Sequence, residues 1–270
     1  VSHAQDNSYA SPIARAFTEA RRAGVAVPVY PGDEPASLDA AYAIQDDAIA
    51  LWPDRIAGWK LGRINAPFDA RFGAGRLAGP IFSSNVWSSG EAAVEFGVIP
   101  GGFAAVEAEY VLELAETAPD REGWTAVTVA PLVGRVFAGV EIAGSPFAGI
   151  NDHGPAVTAS DFGNNAGLIL GPEISDWRAR LAGLTCSVTI DGTLIGHGGA
   201  ASIPGGPLDS LAFLLNLLHR RGRRLEAGQL ISTGAATGVH AVRAGQASVA
   251  DFGADGRIEC LAVAVGGASS

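Results

Sequence analysis

Ala104-Ala105-Val106-Glu107-Ala108-Glu109-Tyr110-Val111-Leu112-Glu113-Leu114 decides how the chain folds. Val106, Ala108, Tyr110, Leu112 and Leu114 alternate with Glu107, Glu109 and Glu113. A strand sends successive side chains to opposite faces, so the segment reads as a β-strand with one apolar row and one acidic row. Its surroundings extend the β character. Leu132 to Ile142 is almost continuously apolar, which predicts a strand or strand pair covered on both faces, and Leu168-Ile169-Leu170-Gly171 predicts a shorter buried piece. Upstream, Ile56-Ala57-Gly58-Trp59-Lys60-Leu61 reads as another short strand. Leu184 to Ile190, Asp191-Gly192 and Thr193-Leu194-Ile195 spell a hairpin, because Asp-Gly accepts the left-handed backbone of a tight turn. Ala247 to Phe252, Asp255-Gly256 and Ile258 to Val265 spell a second.

Helices frame these strands. Ser11-Pro12 followed by Ile13, Ala16, Phe17 and Ala20 combines an N-cap, a first-turn proline and an apolar stripe closed by Gly24, predicting a helix over 12–23. A second opens at Ser37, carries Leu38, Ala41, Tyr42, Ile44, Ala48, Ile49 and Leu51 at helical spacing, and stops before Pro53. Between the hairpins, Gly206-Pro207 opens a helix with Leu208, Leu211, Leu214, Leu215 and Leu218 on one stripe. Gly222 closes it after His219, Arg220 and Arg221, cations that suit the negative end of the helix dipole. Later strands are spaced by hairpins rather than helices, which disfavours a Rossmann or TIM layout. The expectation is an α+β protein with a curled, mixed, mostly antiparallel sheet, an N-terminal helical part over residues 1–54 and a β-rich core over 55–270.

Composition bounds the partners. The 270 residues are 48% hydrophobic and 17% charged, enough apolar side chain for a sizeable core and too much for a disordered chain. Lys+Arg number 18 against 28 Asp+Glu, and the net charge of -10 repels phosphate backbones and anionic bilayers, so neither nucleic acid nor membrane is an expected partner. The longest strongly apolar stretch, Leu211 to Leu218, is far below the roughly 20 residues of a membrane-crossing helix. Val1-Ser2-His3-Ala4-Gln5-Asp6 has no charged-then-apolar leader pattern, and together these features predict a cytoplasmic protein. Cys186 and Cys260 stand far apart without metal spacing and read as small core hydrophobes.

A few polar residues stand out for chemistry. Glu107 and Glu109 leave the same face of their strand, an arrangement comfortable in water or around a cation, and Glu113 continues the row as a solvated face would. Glu141 interrupts the apolar run Val136 to Ile142, where a carboxylate needs a charged or metal partner unless it reaches solvent at a strand end. The three together would offer an all-oxygen site for a hard cation such as Mg²⁺ or Mn²⁺. Lys60 is the only lysine in the chain, and lysine, unlike arginine, can transfer a proton. Asp161, in Ser160-Asp161-Phe162-Gly163-Asn164-Asn165, reads as a turn cap or as a polar group of a site. His153, in Asn151-Asp152-His153-Gly154, reads as a solvated loop histidine or an acid-base group. No GxSxG elbow, P-loop or GxGxxG after a strand is present, which removes the usual support for serine hydrolase, nucleotidase and nicotinamide-enzyme readings.

A family resemblance rests on an ordered set of segments. These are Ala41-Tyr42-Ala43-Ile44-Gln45, Gly58-Trp59-Lys60-Leu61-Gly62, Val106-Glu107-Ala108-Glu109, Val140-Glu141-Ile142, Asp161 with Leu170-Gly171, Leu225-Glu226-Ala227-Gly228 and Ile231-Ser232-Thr233-Gly234. In this order they resemble the fumarylacetoacetate hydrolase superfamily, and within it the 2-hydroxypenta-2,4-dienoate (2-keto-4-pentenoate) hydratase and 4-oxalocrotonate decarboxylase branch. The resemblance implies a curled mixed sheet with a few helices, a homo-oligomer, and a divalent metal, Mg²⁺ or Mn²⁺, held by Glu107, Glu109 and Glu141. It further implies that Lys60 lies beside the metal, that Thr233 lies near the substrate carboxylate, and that Lys60 with Asp161 moves the proton. The implied activity is that of a hydro-lyase, which adds water to a 2-hydroxy-2,4-dienoate to give a 4-hydroxy-2-oxo acid during the breakdown of aromatic compounds. Three alternatives stay open: decarboxylation of a 4-oxalocrotonate-like acid, C–C hydrolysis of an acylpyruvate with Asp152-His153 as base, and a non-catalytic homologue that binds a small acid. The chain departs from the family pattern at Gly144-Ser145-Pro146, where an arginine is usual, and at Phe162, where asparagine is usual.

Overall fold

The computed structural model describes residues 10–265, so the segment Val1 to Asp6 read above for a leader lies outside the described residues. In chain order the elements begin with α1 (Pro12–Ala23), α2 (Leu38–Leu51), β1 (Ile56–Arg63), α3 (Phe68–Phe72), β2 (Arg76–Phe82), β3 (Val86–Ser88) and β4 (Val94–Val98). They continue with β5 (Phe103–Leu114), α4 (Ala126–Val129), β6 (Val133–Ser145), α5 (Pro155–Ser160), β7 (Asn165–Glu173), α6 (Trp177–Arg180), β8 (Thr185–Ile190) and β9 (Thr193–Gly199). The last are α7 (Gly206–Arg220), β10 (Leu230–Ser232), β11 (His240–Ala241), β12 (Ala247–Asp251) and β13 (Arg257–Ala264).

Local signals act where the sequence places them. The Ser11 side chain accepts from the Ile13 N–H at the start of α1, and Gly24 closes the helix in the left-handed conformation, where a residue without Cβ is unstrained. Ser37 caps α2 by accepting from the Ala40 N–H. Asp191 and Gly192 both take positive φ, 48° and 78°, as the turn between β8 and β9 requires.

The strands divide between two sheets, and in both the mixed, mostly antiparallel character holds. An eight-stranded sheet runs β2-β1-β10-β5-β6-β7-β3, with β11 also pairing with β5, and a five-stranded sheet runs β4-β13-β12-β8-β9. Among the described residues, parallel pairing is confined to β1 with β10, β3 with β7 and β4 with β13. The apolar row of β5 faces the main core, where Tyr110 meets Phe252 near the end of β12 with ring centroids 5.7 Å apart. Cys186 and Cys260 are buried there as free thiols, and Leu211, Leu214, Leu215 and Leu218 of α7 close the same core.

Helices α1 and α2 do not stand apart from the strands. Ile13 and Phe17 cluster with Tyr30, Phe147, Ile150 and Val157, while Ala14 and Ala48 cluster with Phe82 and Phe162. The buried Gln45 amide of α2 donates to the carbonyls of Ala78 and Ala159, tying β2 to α5. Among the described residues no helix is long and apolar enough to cross a membrane.

One contact is closer than any side chain permits. A Cβ built on Gly79 of β2 would lie 1.9 Å from the Phe162 carbonyl oxygen, so the two backbones touch only because residue 79 is glycine. Gly79→Ala is expected to lower stability by roughly 1–3 kcal/mol, read as a lower urea midpoint. An unchanged midpoint would mean that the segment after α5 can leave β2 without consequence.

Candidate functional site

The site begins with strand register. β5 and β6 are antiparallel neighbours with Glu107 opposite Glu141 and Glu109 opposite Gly139, so the three carboxylates emerge side by side on one face. One ligand oxygen from each lies within 4.8 Å of the others. On the far side of β5, β10 places Ser232 opposite Val111, and β1 in turn places Lys60 opposite Ser232. Sheet order therefore delivers an amine to a cluster of carboxylates from strands that are distant in sequence.

Burial is nearly complete. Glu109 and Glu141 are 0% exposed, Glu107 4% and Lys60 3%. The spacing of Glu107 and Glu109 by itself favours a solvated face, and the structure overturns that reading for both. Only Glu113, the third member of the row, turns outward, where it takes a two-pronged ion pair from Arg135. Glu141 likewise ends away from solvent.

Hydrogen bonds account for part of this buried charge. Ser232 Oγ donates to Glu109 Oε2 at 2.6 Å, and the Gly234 N–H donates to the same oxygen at 2.8 Å. Asn165 Nδ2 donates to Glu141 Oε1 at 3.1 Å, and Lys60 Nζ pairs with that oxygen at 3.2 Å. Lys60 also donates to Asn164 Oδ1 at 3.1 Å. Glu109 Oε1 and Glu141 Oε2 are left buried with no partner. An unmet buried carboxylate oxygen is expensive, and a row of hard oxygen donors is the set that a divalent cation prefers.

The electrostatics agree. Burial, and then the charge of Glu141, push the Glu107 carboxyl up to about 8, with Lys60 pulling the other way. Burial together with the charges of Glu141 and Glu107 carries Glu109 well above the usual carboxylate range. Burial alone would lower the Lys60 ammonium, yet Glu141, Glu107 and Glu109 outweigh it and hold the amine charged.

Lys60, Glu107, Asn164 and Thr233 line a cavity of about 760 Å³, which the exposed Arg63, His197 and Val239 also border. The Thr233 hydroxyl donates to the Tyr110 carbonyl at 2.7 Å. Asp161 lies elsewhere. It is buried, receives two bonds from the Arg21 guanidinium and one from Ser145 Oγ, and does not line the cavity. The side-chain amide that meets Lys60 belongs to Asn164 instead. His153 points to Glu34, at 2.6 Å, and lies tilted against the Phe147 ring, while Asn151 and Gly154 border the cavity.

Reasoning from sequence thus missed Arg21, Asn164, Asn165 and Ser232. The tandem Asn164-Asn165 before an apolar strand was the one local signal for two of them. Arg21 sits in the last turn of α1, where the helix dipole alone favours a cation and so gives no sign of a site.

Protonation of these carboxylates links to stability with a definite sign. Glu107 ionises at about 8 in the fold against an ordinary value of 4.5, so its contribution is full below pH 4.5 and is lost as pH rises through 8. In chelator, the native protein should lose stability relative to Glu107→Gln over that window, by on the order of a few kcal/mol, as read from urea unfolding at stepped pH. Parallel curves for the two proteins would refute the placement of Glu107 in a buried acidic cluster.

No family model matches the chain. Over 244 residues it is 29% identical to a 4-oxalocrotonate decarboxylase of Pseudomonas sp, covering 87% of this chain and 91% of that protein. The 4-oxalocrotonate decarboxylase of Pseudomonas putida G7, solved with magnesium and adipate, superposes with a TM-score of 0.78 at 22% identity, covering 94% of this chain and 96% of the other. A fumarylpyruvate hydrolase from Pseudomonas aeruginosa, solved with Mn²⁺ and pyruvate, superposes with a TM-score of 0.54 at 15% identity, covering 79% and 91%. The chain shares the fold of these solved structures, and along most of its length its sequence is similar to a 4-oxalocrotonate decarboxylase, in keeping with the resemblance of its ordered segments.

Proposed function

We propose that this chain is a divalent-metal-dependent lyase of 2-oxo or 2-hydroxydienoic acids. The observation that carries the reading is the buried Glu107, Glu109 and Glu141 cluster with its two unpartnered oxygens, open through Glu107 to a cavity that also holds the chain's only lysine. The ions and small acids bound in the similar structures support the same site. Among lyase reactions, similarity along most of the chain to a decarboxylase favours removal of CO₂ from a 4-oxalocrotonate-like acid. Hydration of a 2-hydroxy-2,4-dienoate to a 4-hydroxy-2-oxo acid is the second reading, and it draws on the same residues.

A cation held by the three glutamates would supply Lewis-acid polarisation of the 2-oxo group. The remaining work falls to the protein. Ser232 and the Gly234 N–H hold one oxygen of Glu109 and leave the other free, and Asn165 does the same for Glu141, so the donor atoms are oriented in advance. Lys60, kept as an ammonium by its carboxylate neighbours, delivers a proton from Nζ to the carbon that gains the electron pair when the C–C bond to the departing carboxylate breaks. In hydration the same proton goes to the conjugated chain as water adds. Thr233 is assigned to the substrate carboxylate from its place in the cavity wall. Asp161, closed off by Arg21 and Ser145, is assigned to holding backbone rather than to moving a proton.

Thermal unfolding of the metal-free protein, with Mg²⁺, and with Mg²⁺ plus oxalate tests the site, because a ligand of the folded state raises the midpoint. Oxalate should stabilise only when Mg²⁺ is present, and Glu109→Gln should abolish the effect. Mass analysis then separates the reactions, since decarboxylation removes CO₂ and hydration adds the mass of water. Lys60→Arg, which keeps the charge but cannot give up a proton at neutral pH, should lower turnover by about 10²–10⁴-fold. Turnover equal to that of the native enzyme would remove Lys60 from the mechanism. Metal binding without turnover of any 2-oxo acid would favour a binding protein.

A further inference from the structure

Lys60 is drawn toward carboxylates on one side and toward a single neutral group on the other. We propose that this neutral group, Asn164, aims the Lys60 ammonium into the cavity, and that Arg21 on α1 is the positioning residue that fixes Asn164 there. The inference rests on the reading of Lys60 as the proton carrier, and it adds residues that this reading does not require.

The orientation of Asn164 is settled by its two partners. Lys60 Nζ has only hydrogens to offer, so the Asn164 atom 3.1 Å away is the carbonyl oxygen, and Asn164 Nδ2 then donates to Asn151 Oδ1 at 3.0 Å. The amide is held from both ends. Without it, the strongest remaining pull on the ammonium is toward Glu141, at 3.2 Å, which draws the proton donor away from the substrate space.

The backbone beneath Asn164 is unusual. Phe162, Gly163 and Asn164 take φ of 51°, 62° and 56°, a run of left-handed residues. Asparagine and glycine tolerate this conformation, but a phenylalanine in it is strained by roughly 1–2 kcal/mol. Something has to hold the run. The Phe162 ring is wedged edge-on against Phe82 at 5.0 Å and Trp52 at 5.7 Å, and its carbonyl lies on the bare backbone of Gly79.

Arg21 closes the turn from outside. Its Nε and Nη2 bond the Asp161 carboxylate at 2.6 and 2.9 Å, and its Nη1 bonds the Asn165 carbonyl at 3.0 Å. One rigid guanidinium therefore grips the residue just before the left-handed run and the residue just after it. A further bond from Nη2 to the Gly144 carbonyl, at 2.8 Å, anchors the clamp to β6, the strand that carries Glu141. Fixing both ends of the run sets Asn164 on Lys60 and Asn165 on Glu141 together. Such planar, many-donor bracing suits arginine and is beyond lysine.

Because Lys60 is the only lysine, protein grown with ¹³C,¹⁵N-lysine reports one side chain, with no assignment needed. The measurement uses the full chain in chelator and requires neither metal nor substrate. Asn164→Gly keeps a residue at ease with positive φ and deletes the amide, so the Lys60 Cε and Nζ resonances should shift. Arg21→Gln and Arg21→Lys should shift the same resonances, although residue 21 does not touch Lys60. Arg135→Gln, which breaks surface contacts with Glu113, Glu173 and the Phe137 ring, should leave them in place. If the Arg21 variants fail to fold, Asp161→Asn loosens the same clamp at constant size and takes their place.

Unmoved lysine resonances in folded Asn164→Gly, or in folded Arg21 or Asp161 variants, would overturn the proposal, including the case in which those variants are merely less stable. Where a substrate is turned over, Arg21→Lys should lower kcat by on the order of 10²-fold with KM nearly unchanged, as expected when a proton donor is displaced rather than binding lost. Native protein that turns over nothing would sink the functional reading alone, because the lysine spectrum still decides this one.

Discussion

Three carboxylates are buried against one ammonium, and much of the molecule is arranged around that imbalance. Isolated buried charge is among the least favourable things a fold can contain. The surrounding elements respond with donors: a serine hydroxyl and a backbone N–H on Glu109, an asparagine amide and the Lys60 amine on Glu141. The response stops short of full satisfaction. One oxygen each on Glu109 and Glu141 has no partner, and Glu107 faces the cavity, so the residual demand for positive charge points to a single place.

The acidic row of β5 changes character along its length, and the change follows what covers it. Glu107 borders the cavity, Glu109 is sealed beneath Ser232 and Gly234, and Val111 enters an apolar cluster with Ile81, Phe137, Leu168 and Leu230. Glu113 reaches the surface and pairs with Arg135. One strand face thus passes from reactive space through apolar packing to solvent. Neighbouring strands set each environment, and the sequence spacing is identical throughout.

This explains which features were legible in the sequence. Helix caps at Ser11 and Ser37 and the turn at Asp191-Gly192 are decided by the residues themselves and their immediate neighbours, so pattern reading finds them. The division of the strands into two sheets, and the burial of Glu107 and Glu109 but not Glu113, depend on pairings between β1, β10, β5 and β6, which no local window contains. Family resemblance supplied Glu107, Glu109, Glu141 and Lys60 as a group where spacing left two readings open. Asp161 illustrates the opposite case. Its turn context marked it as polar and placed, but its partner is Arg21, far upstream in a helix that otherwise reads as ordinary.

Charge bookkeeping at the site constrains the order in which ligands arrive under the proposed function. Without a cation, the carboxylates exceed the ammonium by two, and an anionic 2-oxo acid approaching through the cavity meets either that repulsion or glutamates that have taken up protons. Glu107, Glu109 and Glu141 holding a divalent cation would have their excess charge cancelled and no reason left to take up those protons. The acid would then enter a site whose charges balance, and the ammonium would no longer be outnumbered by unmatched carboxylates. Charge balance at the three glutamates would therefore also weaken the pull on Lys60 from Glu141. A neutral group such as Asn164 would then have a larger share in deciding where the proton points.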